Sequence, residues 1–366
     1  MIKLQHIRIL FLALFLASSS LEAQKAKPAR SNSTPTTVWT NEKANAWYSA
    51  HNWITGANYI PAYAINQLEM WQDSTFDLQA IDRELGWAEN LGFNTMRVFL
   101  HSVAWQQDPQ GFKKRVDQFL TVAEKHKIKT MLVFFDDCWN KVPVAGPQPP
   151  PKPGIHNSGW VQDPGDPYSK DTTVFPHLEK YVKDVMTHFA HDQRILIWDL
   201  YNEPGNSGKL DSSLPLLTKI FSWARQVNPD QPLTSGIWSW DFETLNKFQV
   251  SNSDIITYHE YEEPLWHLRV IQLLKLHGKP LICTEYMART KNSRFSNILP
   301  LLQKENVGAI NWGFVAGKSN TIYAWDTPLI EGKEPVEWFH DILRLDGTPY
   351  LQDEVDLIRR IKEALR

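Results

Sequence analysis

The chain has 366 residues, 42% of them apolar, which is ample for the core of one large domain. With 38 basic residues against 41 acidic ones the net charge is −3, so nothing points to a polyanion-binding surface and nucleic acid is not an expected partner. Two cysteines are too few for a metal cluster, while 16 tryptophans supply flat amphipathic rings that either fill a core or stack on the C–H faces of sugars.

The first segment places Lys3 and Arg8 before an apolar stretch, Ile9 to Ala17, with small residues leading to Ala23. That order predicts a signal peptide over residues 1–23, and hence a secreted or periplasmic protein. The apolar stretch is too short to span a bilayer well. Residues 24–37 are polar and low in complexity, which predicts a flexible leader. The folded domain is expected over residues 38–366.

Eight strand-like runs follow in order: Trp53–Tyr59, Asn94–Leu100, Thr130–Asp136, Ile195–Tyr201, Leu233–Trp238, Ile255–His259, Pro280–Glu285 and Ala309–Phe314. Most are short, β-branched or aromatic, and lack polar alternation, as parallel strands buried on both faces do. Helical periodicity fills the gaps. Leu78, Ile81, Leu85, Ala88 and Leu91 share one face before the Gly92 stop, and Leu178, Val182, Val185 and Phe189 repeat the pattern. The weakest helix lies after the fifth strand, near Phe242–Phe248. Eight βα units predict a single (β/α)8 TIM barrel. Cys138 and Cys283 then fall on different, non-adjacent strands, which predicts two buried thiols.

A long Pro/Gly-rich segment, Val142 to Pro167, separates the third strand from its helix. Prolines forbid regular structure there. In a barrel this loop sits on the C-terminal face, where active sites lie, and its His156, Asn157 and Trp160 are candidates for a substrate wall.

Two strands end in glutamate. ILIWDLYNEPGN carries Asn202-Glu203-Pro204 at the end of the fourth strand, and PLICTEY carries Glu285 at the end of the seventh. Burial of a carboxylate there is costly unless it faces an open site. The fourth and seventh strands lie on opposite sides of the mouth, so both side chains can point to its centre.

These motifs resemble the clan of (β/α)8 retaining glycoside hydrolases, and within it the cellulase-like family 5 group. The resemblance runs from about Trp39 to the C-terminus. It implies a β-glycoside hydrolase acting on carbohydrate, with no cofactor and no metal. Glu203 is then the acid/base and Glu285 the nucleophile. Arg97, in NTMRVFL, resembles the arginine that orients the nucleophile, and Asn202 the asparagine that binds the sugar 2-hydroxyl. His259 and Tyr261 resemble a His-x-Tyr pair, and Trp312 the floor of the subsite for the cleaved sugar. Arg97, His259 and Trp312 also have readings as a structural ion pair, a core histidine and a core tryptophan. Many cellulase-like members carry a histidine at the end of the third strand. Here Asp136, Asp137 and Cys138 stand there, with either one aspartate binding sugar hydroxyls or both forming solvated rim charges. His101, Trp105, Asn66, Glu69 and Trp71 are further candidates. A non-catalytic glycan-binding barrel and a transglycosylase are the competing functions.

Overall fold

The computed structural model describes residues 37–363 apart from Pro167 and Ile330. The signal peptide and all but the last residue of the leader lie outside the described residues.

Eight parallel strands form one sheet: β1 (Thr55–Asn58), β2 (Thr95–Phe99), β3 (Lys129–Asp136), β4 (Ile195–Asn202), β5 (Leu233–Thr234), β6 (Ile256–His259), β7 (Leu281–Glu285) and β8 (Gly308–Asn311). Their order is β5-β4-β3-β2-β1-β8-β7-β6. The remaining seam is closed beyond the short β5, where Ile237 pairs in parallel with Tyr258. The molecule is therefore a (β/α)8 barrel. Each strand is buried, apart from Lys129 at the start of β3, which explains why their sequences lack alternation.

The outer helices begin and end on local signals. Asp77 accepts hydrogen bonds from the amides of Gln79 and Ala80 to start Leu78–Leu91, and Gly92 ends it with φ 81°. Asp108 caps Pro109–Lys125 in the same way. Phe175–Phe189, Leu214–Val227 and Pro264–Lys275 each carry proline in the first turn, where no amide partner is lost. The helix after β5 spans Glu243–Asn252. After β8 the chain is irregular until Gln352–Glu363, which packs beside Phe295–Lys304 and Leu78–Leu91 and completes the ring.

One element was not legible in the sequence. The helix Asn41–Ser49 plugs the floor of the barrel, where Ala44 and Tyr48 pack with Ile54, Met131, Ile197, Ile282 and Ile310. Tyr48 donates to the Asn306 carbonyl at 3.2 Å, and the Trp39 amide donates to Asp254 at 2.8 Å. With apolar side chains sealing one end, polar side chains concentrate at the other. Among the described residues no helix is long and apolar enough to cross a membrane.

Candidate active site

A single arginine organises the mouth. Arg97, on β2, is fully buried. Its Nε and Nη2 donate to Asp199 Oδ2 at 2.9 and 2.8 Å, and its Nη2 also donates to Asn202 Oδ1 at 2.7 Å. Its Nη1 donates to Asn58 Oδ1 at 2.7 Å and to Glu285 Oε1 at 2.9 Å. Four strands thus converge on one guanidinium, whose planar fork suits this many acceptors.

The second oxygen of Glu285 accepts from the Tyr261 hydroxyl at 2.8 Å. His259 Nδ1 lies 2.8 Å from Glu203 Oε1 and 3.4 Å from Glu285 Oε2. A register shift between Tyr258 and His259 sets His259 beside Glu285 across the β6–β7 ladder. One oxygen of each glutamate and a ring nitrogen of His259 fall within 4.8 Å of one another. These three groups are spaced as cation ligands also are, but Arg97 already supplies the positive charge to Glu285.

Glu203 reaches this point through its backbone. It adopts φ 46°, in the left-handed region, directly before Pro204. Such a conformation strains a non-glycine residue by about 1–3 kcal/mol. Asp137 holds the turn in place: it accepts from the Gly205 amide at 2.8 Å and the Tyr201 hydroxyl at 2.7 Å, and pairs with buried Lys209 at 2.6 Å. The free oxygen of Glu203 accepts from the Cys138 thiol at 3.1 Å and from Asn206 Nδ2.

Burial pushes the Glu203 carboxyl up, with the Cys138 and Asn206 hydrogen bonds opposing it. Burial likewise raises Glu285; the Glu203 charge adds to the rise, while Arg97 and Tyr261 oppose it. Two carboxyls this close hold one proton between them as the pH approaches neutrality. Arg97 and Tyr261 favour charge on Glu285, so the proton resides on Glu203. Burial drops His259 to about 4, which keeps its ring neutral, and drives Tyr261 well above its ordinary value, which keeps it a donor.

The remaining sequence candidates fall into two groups. Trp312, Trp160 and Phe99 form an aromatic cluster beside the carboxylates, with Trp160 edge-on to Trp312 at 5.6 Å and to Phe99 at 5.1 Å. Asp136 is 1% exposed, not a solvated rim charge, and neither is Asp137 at 0%. Asp136 Oδ1 accepts from Asn202 Nδ2 at 2.9 Å and Oδ2 from Trp160 Nε1 at 2.6 Å, so both oxygens are held by protein donors. His101, Trp105, Asn66, Glu69 and Trp71 belong instead to the scaffold of the loops. His101 bonds the Val103 amide and the Gln162 carbonyl, Trp105 donates to Asp184, Trp71 to the Phe99 carbonyl, and Glu69 pairs with Lys318. Cys138 and Cys283 are both buried and free.

Four residues of the cluster escaped the sequence reading: Asn58, Asp199, Cys138 and Asn206. Asp199 left a signal, a charge inside an apolar strand four residues before Glu203. Asn206 stood in the turn after Glu203. Cys138 and Asn58 carried no mark that local sequence separates from a core position.

Fold and site together define a glycosidase barrel. The profile of the cellulase family (glycosyl hydrolase family 5) matches residues 64–318. The chain belongs to that family and is a β-glycoside hydrolase. No curated protein sequence matches it. Among solved structures it is similar to the endo-β-1,4-mannanase of Thermotoga petrophila, with a TM-score of 0.56 and 16% identity over 86% of this chain and 77% of that one. An exo-β-1,4-mannosidase from Opitutaceae bacterium strain TAV5 gives 0.58 and 15%, covering 86% and 60%. A GH5_18 protein from Streptomyces cattleya in complex with GlcNAc gives 0.55 and 12%, covering 86% and 80%.

Proposed function

We propose that the protein is a secreted or periplasmic retaining β-glycosidase that cleaves β-linked oligo- or polysaccharide of glucan, mannan or xylan type by double displacement. The observation that carries this is the glutamate pair, with oxygens within 4.8 Å and Arg97 on one member only. Retaining enzymes hold their two carboxyl groups about 5–5.5 Å apart, whereas an inverting pair stands further apart to admit a water.

In the first step Glu285 attacks the anomeric carbon while the proton of Glu203 passes to the leaving oxygen. The C–O bond breaks and a glycosyl ester on Glu285 forms. In the second step Glu203, now a carboxylate, takes a proton from water as that water displaces Glu285. Arg97 and Tyr261 hold Glu285 in its attacking orientation. Asn202, fixed between Arg97 and Asp136, is placed to meet the sugar 2-hydroxyl, and Trp312 to floor the ring.

The test is sugar release from β-glucan, β-mannan and xylan and from aryl β-glycosides. The mannanase and mannosidase that share the fold put β-mannosides first on that panel. Glu285→Gln is expected to abolish turnover with an unchanged circular dichroism spectrum; turnover near the wild-type rate in that variant removes Glu285 from the mechanism. Export is supported by the basic, apolar and small-residue order of residues 1–23. Expression in a secreting host is expected to yield a chain starting at Gln24, and an intact N-terminus overturns that part.

A further inference from the structure

Once Glu203 is the acid, the substrate has a direction. The leaving group lies on the Glu203 side, over β4 and the chain after β5, where Trp238 Nε1 donates to the Pro204 carbonyl at 3.0 Å. The far end of the cleaved sugar therefore points away, toward the ends of β1, β2 and β8. The two sides are built differently.

On the far side the loop after β3 arches across the ends of β2 and β1 and is stitched to the segment after β8. The Asn157 amide donates to the Ser319 carbonyl at 2.8 Å, and the Leu329 amide to the Gly154 carbonyl at 3.0 Å. His156 Nδ1 bonds the Tyr323 carbonyl at 2.8 Å, and Asn320 donates to the Lys152 carbonyl at 2.9 Å. The contact is backbone to backbone: a Cβ on Gly154, which has φ 70°, would lie 1.6 Å from the Leu329 carbonyl oxygen. From the β1 side, Asn66 Nδ2 donates to the Gly159 carbonyl at 2.8 Å, and Gln67 Nε2 to that of Val161 at 3.2 Å. Trp160 hangs from this arch beside Trp312, fixed by its bond to Asp136. Among these side chains the structure leaves a cavity of about 20 Å³, lined by Asn58, Phe99, Trp160, Trp312, Thr321 and Asp341, room for about one water molecule.

On the leaving-group side the rim is open. Trp238 and Trp240 are only partly buried. Aromatic faces that solvent reaches are available to stack on the next sugar.

We infer that the site is a blind pocket for one terminal, non-reducing sugar, so that the enzyme removes monosaccharides one at a time from β-linked oligosaccharides. This rests on the retaining-glycosidase reading of the same site. A substituent on the 4- or 6-oxygen of the terminal sugar has no room, because the arch stands where an endo-acting enzyme would bind the preceding residues.

The test uses β-1,4-linked gluco-, manno- and xylo-hexasaccharides labelled at the reducing end. Aryl β-glycosides are assayed beside them, with and without a 4,6-O-benzylidene block. Wild type and Glu285→Gln are compared throughout. The expected first products are free monosaccharide and labelled pentasaccharide, and the block is expected to lower kcat/KM at least about 100-fold by steric exclusion. Labelled di-, tri- and tetrasaccharides appearing together in the first minutes, and absent with Glu285→Gln, would overturn the pocket while leaving the glycosidase intact. No Glu285-dependent turnover of any substrate overturns the glycosidase reading itself.

Discussion

Glu203 is gripped by a thiol, and that contact makes a measurable difference. The Cys138 S–H donates to the ionised carboxylate, a bond that favours the charged form. Cys138→Ala removes the donor, so the Glu203 pKa rises and the basic limb of the kcat/KM profile is expected to move up by about half to one pH unit. Cys138→Ser, which restores a donor, is expected to bring the limb back. A limb that stays put in both variants means the thiol only fills space. The glutamates themselves were legible because each ends an apolar strand, and Arg97, Asn202, His259 and Tyr261 because their neighbours in sequence resemble those of a known clan. The thiol was not legible. Its role depends on the left-handed turn at Glu203, a tertiary fact that brings residues 138 and 203 together.

At the scale of elements, period and caps disclosed the helices, and unbroken apolar runs disclosed the strands. What they did not disclose is how the loops are anchored. Glu84, on the inner face of Leu78–Leu91, accepts from the Tyr59 hydroxyl at 2.9 Å and the Ala62 amide at 3.3 Å, tying that helix to the chain after β1. Burial pushes its carboxyl up to about 7, against the Tyr59 and Ala62 hydrogen bonds. A raised carboxyl contributes its stability in full below the unfolded value, near 4.5, and loses it as the pH climbs through 7. Wild type is therefore expected to lose up to about 3 kcal/mol between pH 5 and pH 8 from this group. Glu84→Gln lacks that slope. Urea unfolding of both at the two pH values checks it, and parallel slopes would remove Glu84 as the cause.

For the molecule as a whole, stability and chemistry sit at opposite ends of the barrel. The floor is an apolar plug and the mouth a network of charges. Tyr48→Ala in the floor helix is expected to cost about 3–5 kcal/mol by removing a buried ring, while kcat of the folded enzyme stays unchanged. A kcat that falls with stability would show that the two ends are coupled. The plug left little trace in the sequence because Asn41–Ser49 is mostly polar and buries only Ala44 and Tyr48. The arch of the loop after β3 over the segment after β8 has a consequence for the order of events. A well with one opening admits and discharges through the same door. The leaving group, nearest that door, departs first and makes way for the water of the second step. The freed sugar follows, and at high concentration it re-enters and competes with substrate. The shortened chain cannot slide inward for another cut, so in a blind pocket every turnover ends in complete dissociation and the action is distributive.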